Sequence, residues 1–155
     1  MAQNLARQQY EAKLICADAA ESIKWWDGVS FDKVLLDAPC SASGVIRRHP
    51  DIKLHRTPND IEALADLQFK ILDGLWLTLR PGGCLLYVTC SIFKCENDEV
   101  IERFRAQRDD CEVAKIPVSW GRTTTHGRQI LPGDDDMDGF YFAHLRKKTV
   151  INESN

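Results

Sequence analysis

Short apolar runs alternate along this chain with longer segments in which apolar residues recur every three or four positions. Near-continuous apolar runs of four to eight residues are typical of strands buried in a sheet. The runs that we interpret as strands occupy residues 13–18, 31–39, 84–91, 111–117 and 138–147. The pattern therefore predicts strands separated by helical segments.

The segments between the runs carry the signals of helices. Residues 19–26 are expected to form a short helix. Thr57 followed by Pro58 is typical of a helix start, with a capping hydroxyl, proline at the first helical position and acid in the first turn. Apolar residues then follow helical spacing, at Ile61, Leu64, Ile71, Leu72, Leu75 and Leu79. Residues 80–83, Arg-Pro-Gly-Gly, are expected to end this helix. A second helix is predicted over 96–108, with inward-facing Val100, Ile101 and Phe104.

Strands that alternate with helices predict an α/β fold, with a mostly parallel sheet covered on both faces. Right-handed crossovers place the carboxyl ends of parallel strands along one edge, where ligands bind in open sheets. Three predicted strands put polar or reactive side chains at that edge: Asp18, Asp37 with Cys40, and Cys90. Neighbouring strands lie about 4.8 Å apart, so if the strands at 31–37 and 84–89 are neighbours, we expect the thiols of Cys40 and Cys90 within roughly 10 Å of each other.

Each of these residues also has a structural interpretation. Asp18 or Asp37 could cap the following turn, and Cys90 could be a small buried residue. Their convergence on one edge of the predicted sheet favours a functional site over separate explanations.

Composition and charge narrow the function classes. With 155 residues the chain is expected to form one domain, and its net charge of −3 argues against coating nucleic acid by charge alone. No transmembrane helix and no signal peptide are expected, so the predicted location is the cytoplasm. A local basic stretch is either a solvated loop or a phosphate-binding loop, and it contains Arg47, Arg48, Lys53 and Arg56, with His49 and His55 among them.

The six cysteines do not predict disulfides, because no export signal precedes them. There is no Cys-x-x-Cys pair and no finger-like spacing of cysteine and histidine, so no metal site is expected. Apolar surroundings predict core positions for Cys16, Cys84 and Cys111.

Two segments resemble the signatures of a known family. Residues 37–53, DAPCSASGVIRRHPDIK, and residues 89–100, TCSIFKCENDEV, are similar to the two signature segments of the Nop/Sun RNA cytosine-5 methyltransferases. Residues 131–147 resemble the closing strand pair of that family, and the similarity runs from about residue 4 to 148. Within the family, the bacterial enzymes that act on small-subunit ribosomal RNA are the most similar. A Pro-Cys pair followed about fifty residues later by Thr-Cys-Ser is much more specific than Pro-Cys alone.

The resemblance implies a Rossmann-like, class I methyltransferase fold that uses S-adenosylmethionine to methylate C5 of a cytosine in RNA, with ribosomal RNA as the expected substrate. It implies that Cys90 is the nucleophile, that Cys40 helps to release the product, and that Asp37 faces the target base. A carboxylate beside a thiol raises the thiol pKa, and the sulfonium charge of the cofactor would offset this.

The same resemblance assigns the binding residues. Contacts with the cofactor are implied for Asp18, Asp37 and Pro39. Contacts with RNA phosphates are expected for Arg47, Arg48 and Lys53, whereas a structural role is favoured for His49 and His55. No metal is implied.

Parts of the family pattern have no counterpart in this sequence: the first two strands, the glycine-rich cofactor loop and the ribose-binding acid. We therefore expect residues 1–148 to be the carboxyl-terminal part of a catalytic domain, followed by a polar tail at 149–155. The 13–18 strand would then lack a neighbour and leave an open sheet edge. Either another chain fills this gap, giving self-association, or the N-terminal segment is displaced.

Two alternatives remain open. The chain could be a non-catalytic fragment that binds RNA or a partner protein through the basic loop and the open edge, although such a binder would need neither Cys40 nor Cys90. A thiol redox protein that uses Cys90 and Cys95 is disfavoured by the absence of Cys-x-x-Cys.

Overall fold

Six strands form one sheet in the computed structural model, which describes residues 1–149. The predicted polar tail lies outside the described residues except for Thr149. The helices are α1 (Ala2–Gln8), α2 (Ile52–His55), α3 (Pro58–Thr78) and α4 (Asp98–Ala106), and short 3-10 helices occupy Ala19–Lys24, Ser43–Val45, Lys94–Glu96 and Asp134–Asp136. The strands are β1 (Phe31–Asp37), β2 (Leu79–Thr89), β3 (Cys111–Ala114), β4 (Arg122–Thr123), β5 (Arg128–Ile130) and β6 (Phe140–Lys147).

The sheet is mixed. β1 pairs in parallel with β2, and β2 pairs antiparallel with β6. The other edge of β6 is shared by β5 and β3, and β4 pairs with β5, all antiparallel. The prediction of a mostly parallel sheet is therefore wrong for the described residues, because the closing strand β6 and the unpredicted β4–β5 hairpin run against their neighbours.

One face of the sheet carries the core. Tyr141, Ala143 and Leu145 of β6 are fully buried, together with the α3 and α4 residues Trp76 and Phe104. The alternate residues of β6 are only half-buried: Phe140, Phe142 and His144. This alternation is typical of a sheet whose helices pack on one face, so the expectation of helices on both faces is wrong here.

Helix α3 begins where the sequence predicted. The Thr57 hydroxyl accepts from the Asp60 backbone N–H, and the Asp60 carboxylate accepts from the Thr57 backbone N–H, which forms a capping box. The helix ends at Thr78, before the Arg-Pro-Gly-Gly segment. Residues 80–83 instead bulge from β2, since Phe31 pairs with Leu79 whereas Lys33 pairs with Cys84.

Residues 11–17 form no strand, so the strand predicted at 13–18 is wrong. Leu14 and Ile15 are each 48% exposed, and Cys16 is exposed rather than in the core. An isolated extended segment cannot pair its backbone groups without a neighbouring strand, and none lies beside it among residues 1–149. The outer edge of β1 is correspondingly open, and Leu35 is 68% exposed.

The remaining predicted elements are present with shifted ends. The short helix at 19–26 is the 3-10 helix Ala19–Lys24, and the helix at 96–108 is α4, whose buried residues are the predicted Val100, Ile101 and Phe104. Cys111 is buried as predicted, and Cys84 is half-buried. Within residues 1–149, no helix combines the length and the apolar character needed to cross a membrane.

Candidate active site

Two thiols face each other where β1 and β2 end. Cys40 follows β1 in a loop, Cys90 follows β2, and their Sγ atoms lie 3.3 Å apart. The pairing of the two strands brings them together: Asp37 is in register with Val88, and the Ala38 N–H donates to the Val88 carbonyl at 2.9 Å. The prediction that these thiols lie close together is confirmed.

The contact between the two sulfur atoms gives the two thiols different pKa values. Hydrogen bonding from Cys40 is the largest influence on Cys90 and lowers the pKa of Cys90 to about 7, although burial and the nearby carboxylates of Asp37 and Glu96 oppose this. The same bond, together with burial, raises the pKa of Cys40 far above its ordinary value. Cys90 is therefore the residue of the pair that becomes a thiolate near neutral pH.

This difference predicts a pH dependence for alkylation of Cys90. Below a midpoint near pH 7 the thiol is protonated, so the rate with iodoacetamide should fall about tenfold per pH unit. Cys40→Ala removes the hydrogen-bond donor, and the midpoint should then rise towards the ordinary value of 9.0. Peptide mass spectrometry after timed labelling measures both midpoints, and equal midpoints in the two proteins would contradict this assignment.

The distance also predicts which disulfide forms on oxidation. Equilibration with oxidised glutathione should join Cys40 to Cys90, because small movements bring their sulfur atoms from 3.3 Å to the bonding distance of about 2.05 Å. Cys95→Ser is the matched control, since Cys95 is also a half-buried cysteine and should be dispensable for this bond. A Cys90–Cys95 disulfide in peptide maps of the oxidised protein would contradict the geometry.

Three backbone segments meet tightly beside the thiols. The Gly44 N–H donates to the Cys90 carbonyl at 2.9 Å, and the Gly139 N–H donates to the Gly44 carbonyl at 2.8 Å. A Cβ atom at Gly44 would lie 2.1 Å from the Gly139 carbonyl oxygen and 2.9 Å from that of Cys90. Only glycine allows the Cys40 loop to pass this close to the Cys90 segment and to the chain entering β6.

A buried polar network lies against the thiol-bearing segments, and sequence reasoning missed it. Its centre is Glu96, which is fully buried and accepts hydrogen bonds from Ser41, Ser91 and Gln68. One signal was present: Gln68 interrupts the apolar face of α3 between Leu64 and Ile71. A polar residue on a core-facing stripe indicates a buried hydrogen-bond partner.

The residues predicted to contact the cofactor are only partly brought together. Asp37 and Pro39 are exposed on the loop that leads to Cys40, and no side-chain hydrogen bond within residues 1–149 occupies the Asp37 carboxylate. Asp18 does not end a strand, because that strand does not form. Its carboxylate caps the 3-10 helix Ala19–Lys24 by accepting from the Ala20 N–H at 2.9 Å, which is the structural role considered for it.

The basic loop lies beside the same site. Arg48 pairs with the Asp138 carboxylate at 2.8 Å, and the exposed Arg47 donates to the Met137 carbonyl at 3.4 Å. Lys53 lines a 220 Å³ cavity that also borders the Cys40 loop, and its other lining residues include Arg56, Ser41, Ser43 and Phe93. Two of the three predicted cations therefore keep a charge without a carboxylate partner within residues 1–149, whereas the charge of Arg48 is matched.

The two histidines of the basic loop and the possible metal ligands were also considered as parts of the site. His49 and His55 are exposed, which does not support the structural role that was favoured for them. Among the described residues, no group of three or more His, Cys, Asp or Glu side chains could hold a metal ion.

Sequence and structure comparisons place the chain in a family. Residues 1–146 match the family described as 16S rRNA methyltransferase RsmB/F. The chain is 51% identical over 146 residues to ribosomal RNA small subunit methyltransferase B of Vibrio vulnificus, and 51% identical over 145 residues to the protein of that name in Pseudomonas putida. Each alignment covers 94% of this chain and 33% of the relative, so the chain spans about a third of the length of these relatives.

The fold agrees with these matches. The crystal structure of NSun6 from Pyrococcus horikoshii with SFG superposes with a TM-score of 0.82 at 30% identity, over 95% of this chain and 38% of that one. The predicted α/β, Rossmann-like methyltransferase fold is thereby confirmed. The thiols that face each other after β1 and β2 are those of the two signature segments. Together, these results show that the chain belongs to the RsmB/F family of 16S rRNA methyltransferases.

Proposed function

We propose that residues 1–148 are the carboxyl-terminal part of a catalytic domain that transfers a methyl group from S-adenosylmethionine to C5 of a cytosine in small-subunit ribosomal RNA. The observation that carries this proposal is the pair of thiols, 3.3 Å apart, with the Asp37 carboxylate close enough to influence Cys90. The names of the curated relatives supply the substrate class. A ribosomal RNA substrate would place this activity in the cytoplasm.

Cys90 is assigned as the nucleophile because it is the more acidic thiol. Cytosine C5 is too electron-poor to take a methyl group directly. Addition of the Cys90 thiolate to C6 converts the ring into an enamine, which makes C5 nucleophilic and divides one difficult step into easier ones. A thiol with a pKa of about 7 is partly ionised at neutral pH and keeps high nucleophilicity.

Cys40 is assigned to the release of the product. After methyl transfer, the C5 proton passes to water, its electron pair forms the C5–C6 double bond, and the Cys90–C6 bond breaks. Cys40 has its Sγ atom beside that of Cys90, and as the donor of the pair it can stabilise the departing Cys90 thiolate by a hydrogen bond. The exposed Asp37 carboxylate is assigned to hydrogen bonding with the N3 and N4 edge of the base.

Residues on the same loop fit a cofactor. When bound, S-adenosylmethionine supplies an electrophilic methyl group on a positively charged sulfonium. Asp37 and Pro39 are exposed next to the thiols, and the Asp37 carboxylate has no hydrogen-bond donor within residues 1–149, so it is available to a ligand. SFG, present in the NSun6 structure, is an analogue of this cofactor, which supports the same choice here. Asp18 is a weaker candidate for a cofactor contact, since its carboxylate already caps a 3-10 helix.

The basic loop is assigned to RNA phosphates. A base that reacts at C5 must leave its stack, so RNA of this kind is bound in single-stranded or unpaired form. Arg47 and Lys53 are the better candidates for phosphate contacts, and Arg48 would have to exchange its Asp138 partner for a phosphate.

A second candidate function is non-catalytic binding of RNA or a partner protein through the basic loop and the open sheet edge. The outer edge of β1 is open, with Phe31 43% and Leu35 68% exposed, and such an edge is suited to pairing with another strand. Self-association through this edge would appear as a concentration-dependent dimer that Leu35→Lys abolishes.

Calorimetry with S-adenosylmethionine separates the two functions. If residues 1–148 bind the cofactor without the glycine-rich loop, binding should be saturable and Asp37→Ala should weaken it about tenfold, because a charge-assisted hydrogen bond to the ligand is lost. Asp27→Ala is the matched control, since Asp27 is an exposed acid that lies before β1 and is assigned no role at the site. Absence of heat with the cofactor, together with retained RNA binding, would favour the non-catalytic fragment.

A further inference from the structure

Glu96 is a fully buried carboxyl group that the chemistry proposed above does not use. It ends the 3-10 helix Lys94–Glu96, between β2 and α4. No ion pair within residues 1–149 involves it. Removal of a carboxylate from water is costly unless hydrogen bonds replace its hydration. The donors around Glu96 therefore indicate what the group does.

Four hydrogen bonds converge on the two oxygens of Glu96. Oε1 accepts from the Ser41 backbone N–H at 2.7 Å and from the Gln68 side-chain amide at 3.1 Å. Oε2 accepts from the Ser41 hydroxyl at 2.6 Å and from the Ser91 hydroxyl. Four hydrogen bonds to one buried side chain make this cluster a firm connection between separate segments.

The donors flank both thiols. Ser41 follows Cys40 in the chain, and Ser91 follows Cys90, so one carboxylate holds the residue after each cysteine. Gln68 extends the connection, because its amide also donates to the carbonyl of Pro39, the residue before Cys40, at 2.9 Å. Neither thiol forms a hydrogen bond with Glu96 within residues 1–149, so any influence on geometry passes through the backbone.

We propose that Glu96 is a positioning residue, which fixes the Cys40 and Cys90 segments against each other so that the two sulfur atoms stay 3.3 Å apart. Ser41 and Ser91 are both fully buried, so loss of the carboxylate leaves their donors without water as a substitute partner. The segments then separate or become mobile, and the thiols no longer face each other. The catalytic value of this role rests on the proposed function, whereas the positioning is a property of the free chain.

The equilibrium between the Cys40–Cys90 dithiol and its disulfide measures the positioning directly. In glutathione buffers of known ratio, the equilibrium constant gives the effective concentration of one thiol at the other. Glu96→Ala in the full chain should lower this value about tenfold or more, because all four hydrogen bonds to Glu96 are removed. Glu96→Gln should lower it about threefold or more, since one amide oxygen retains the Ser41 and Gln68 bonds.

Asp98 offers a matched control. Its carboxylate accepts four hydrogen bonds, as that of Glu96 does, but from residues remote in sequence from both cysteines: Thr124, Thr125, His126 and Tyr141. Asp98→Ala should lower the urea midpoint of unfolding and leave the effective concentration within about twofold of the starting protein.

Two results would overturn the proposal. One is an effective concentration within about twofold of the starting protein in both Glu96 variants; if Glu96→Ala does not fold, Glu96→Gln alone decides. The other is an equal fall in Asp98→Ala, which would mean that general loss of stability explains the effect. Neither cofactor nor RNA enters the assay, so a failure of methyl transfer would leave this result standing and would count against the proposed function alone.

Discussion

Replacement of Cys90 by alanine is expected to abolish both the covalent RNA adduct and methyl transfer. Loss of an essential nucleophile typically reduces turnover by at least about a thousandfold. The neighbouring Cys40 is a poor substitute because, even without its hydrogen bond to Cys90, burial raises the pKa of its thiol. The measurement is transfer of labelled methyl groups to small-subunit RNA, together with a gel assay for protein–RNA complexes that survive denaturant. Cys95→Ala is the control, since this neighbouring half-buried cysteine is assigned no part in the reaction.

Cys40→Ala should have the opposite effect on the adduct. If Cys40 assists release, the complex forms and then accumulates. The hydrogen bond from Cys40 also lowers the pKa of Cys90, so the variant should form its adduct slowly at pH 7 and faster near pH 9, where Cys90 is ionised without help. An adduct that accumulates in Cys90→Ala instead would reverse the two assignments.

The second large effect is expected from Gly44→Ala. Its added Cβ would lie 2.1 Å from the Gly139 carbonyl oxygen and 2.9 Å from that of Cys90, and both are backbone atoms that cannot turn away. We expect the free energy of unfolding to fall by about 3 kcal/mol, the upper part of the range for overpacking. Urea titration followed by tryptophan fluorescence measures the change.

Gly133→Ala provides the comparison for this substitution. Gly133 has φ +99°, so alanine is strained there, but no atom lies within 4 Å of the added Cβ. Backbone strain alone should cost about 1 kcal/mol. Equal losses in the two variants would mean that the close approach at Gly44 does not constrain the Cys90 segment.

The sequence was informative where local pattern and neighbouring strands decide the structure. Thr57 and Pro58 marked the start of α3, and the apolar runs located β1 and β2. If β1 and β2 are neighbours, the residues that follow them lie near each other, which predicted Cys40 and Cys90 within roughly 10 Å. The structure supplies the pairing of the two strands and brings the sulfur atoms to 3.3 Å. The resemblance predicted the type of reaction. The contact between the two sulfur atoms in the structure then explained why Cys90 has a lower pKa than Cys40.

Other features depended on partners that local pattern does not reveal. Residues 13–18 have the pattern of a strand but no neighbour within residues 1–149, so they remain exposed. The β4–β5 hairpin contains two and three residues per strand, too few for a periodic signal. Glu96 looked like the first residue of a polar helix, and only its contacts with Ser41 and Gln68, 55 and 28 residues away, reveal its burial.

The central claim is that Cys90 bonds to C6 of the target cytosine, and RNA that contains 5-fluorocytosine tests it most directly. Fluorine at C5 cannot leave as the proton does, so the adduct should persist after methyl transfer. The experiment uses the protein without substitutions. Mass spectrometry of the digested complex should find the nucleotide attached to the peptide that contains Cys90. Attachment at Cys40, or methylated fluorocytosine released without any protein adduct, would contradict the account.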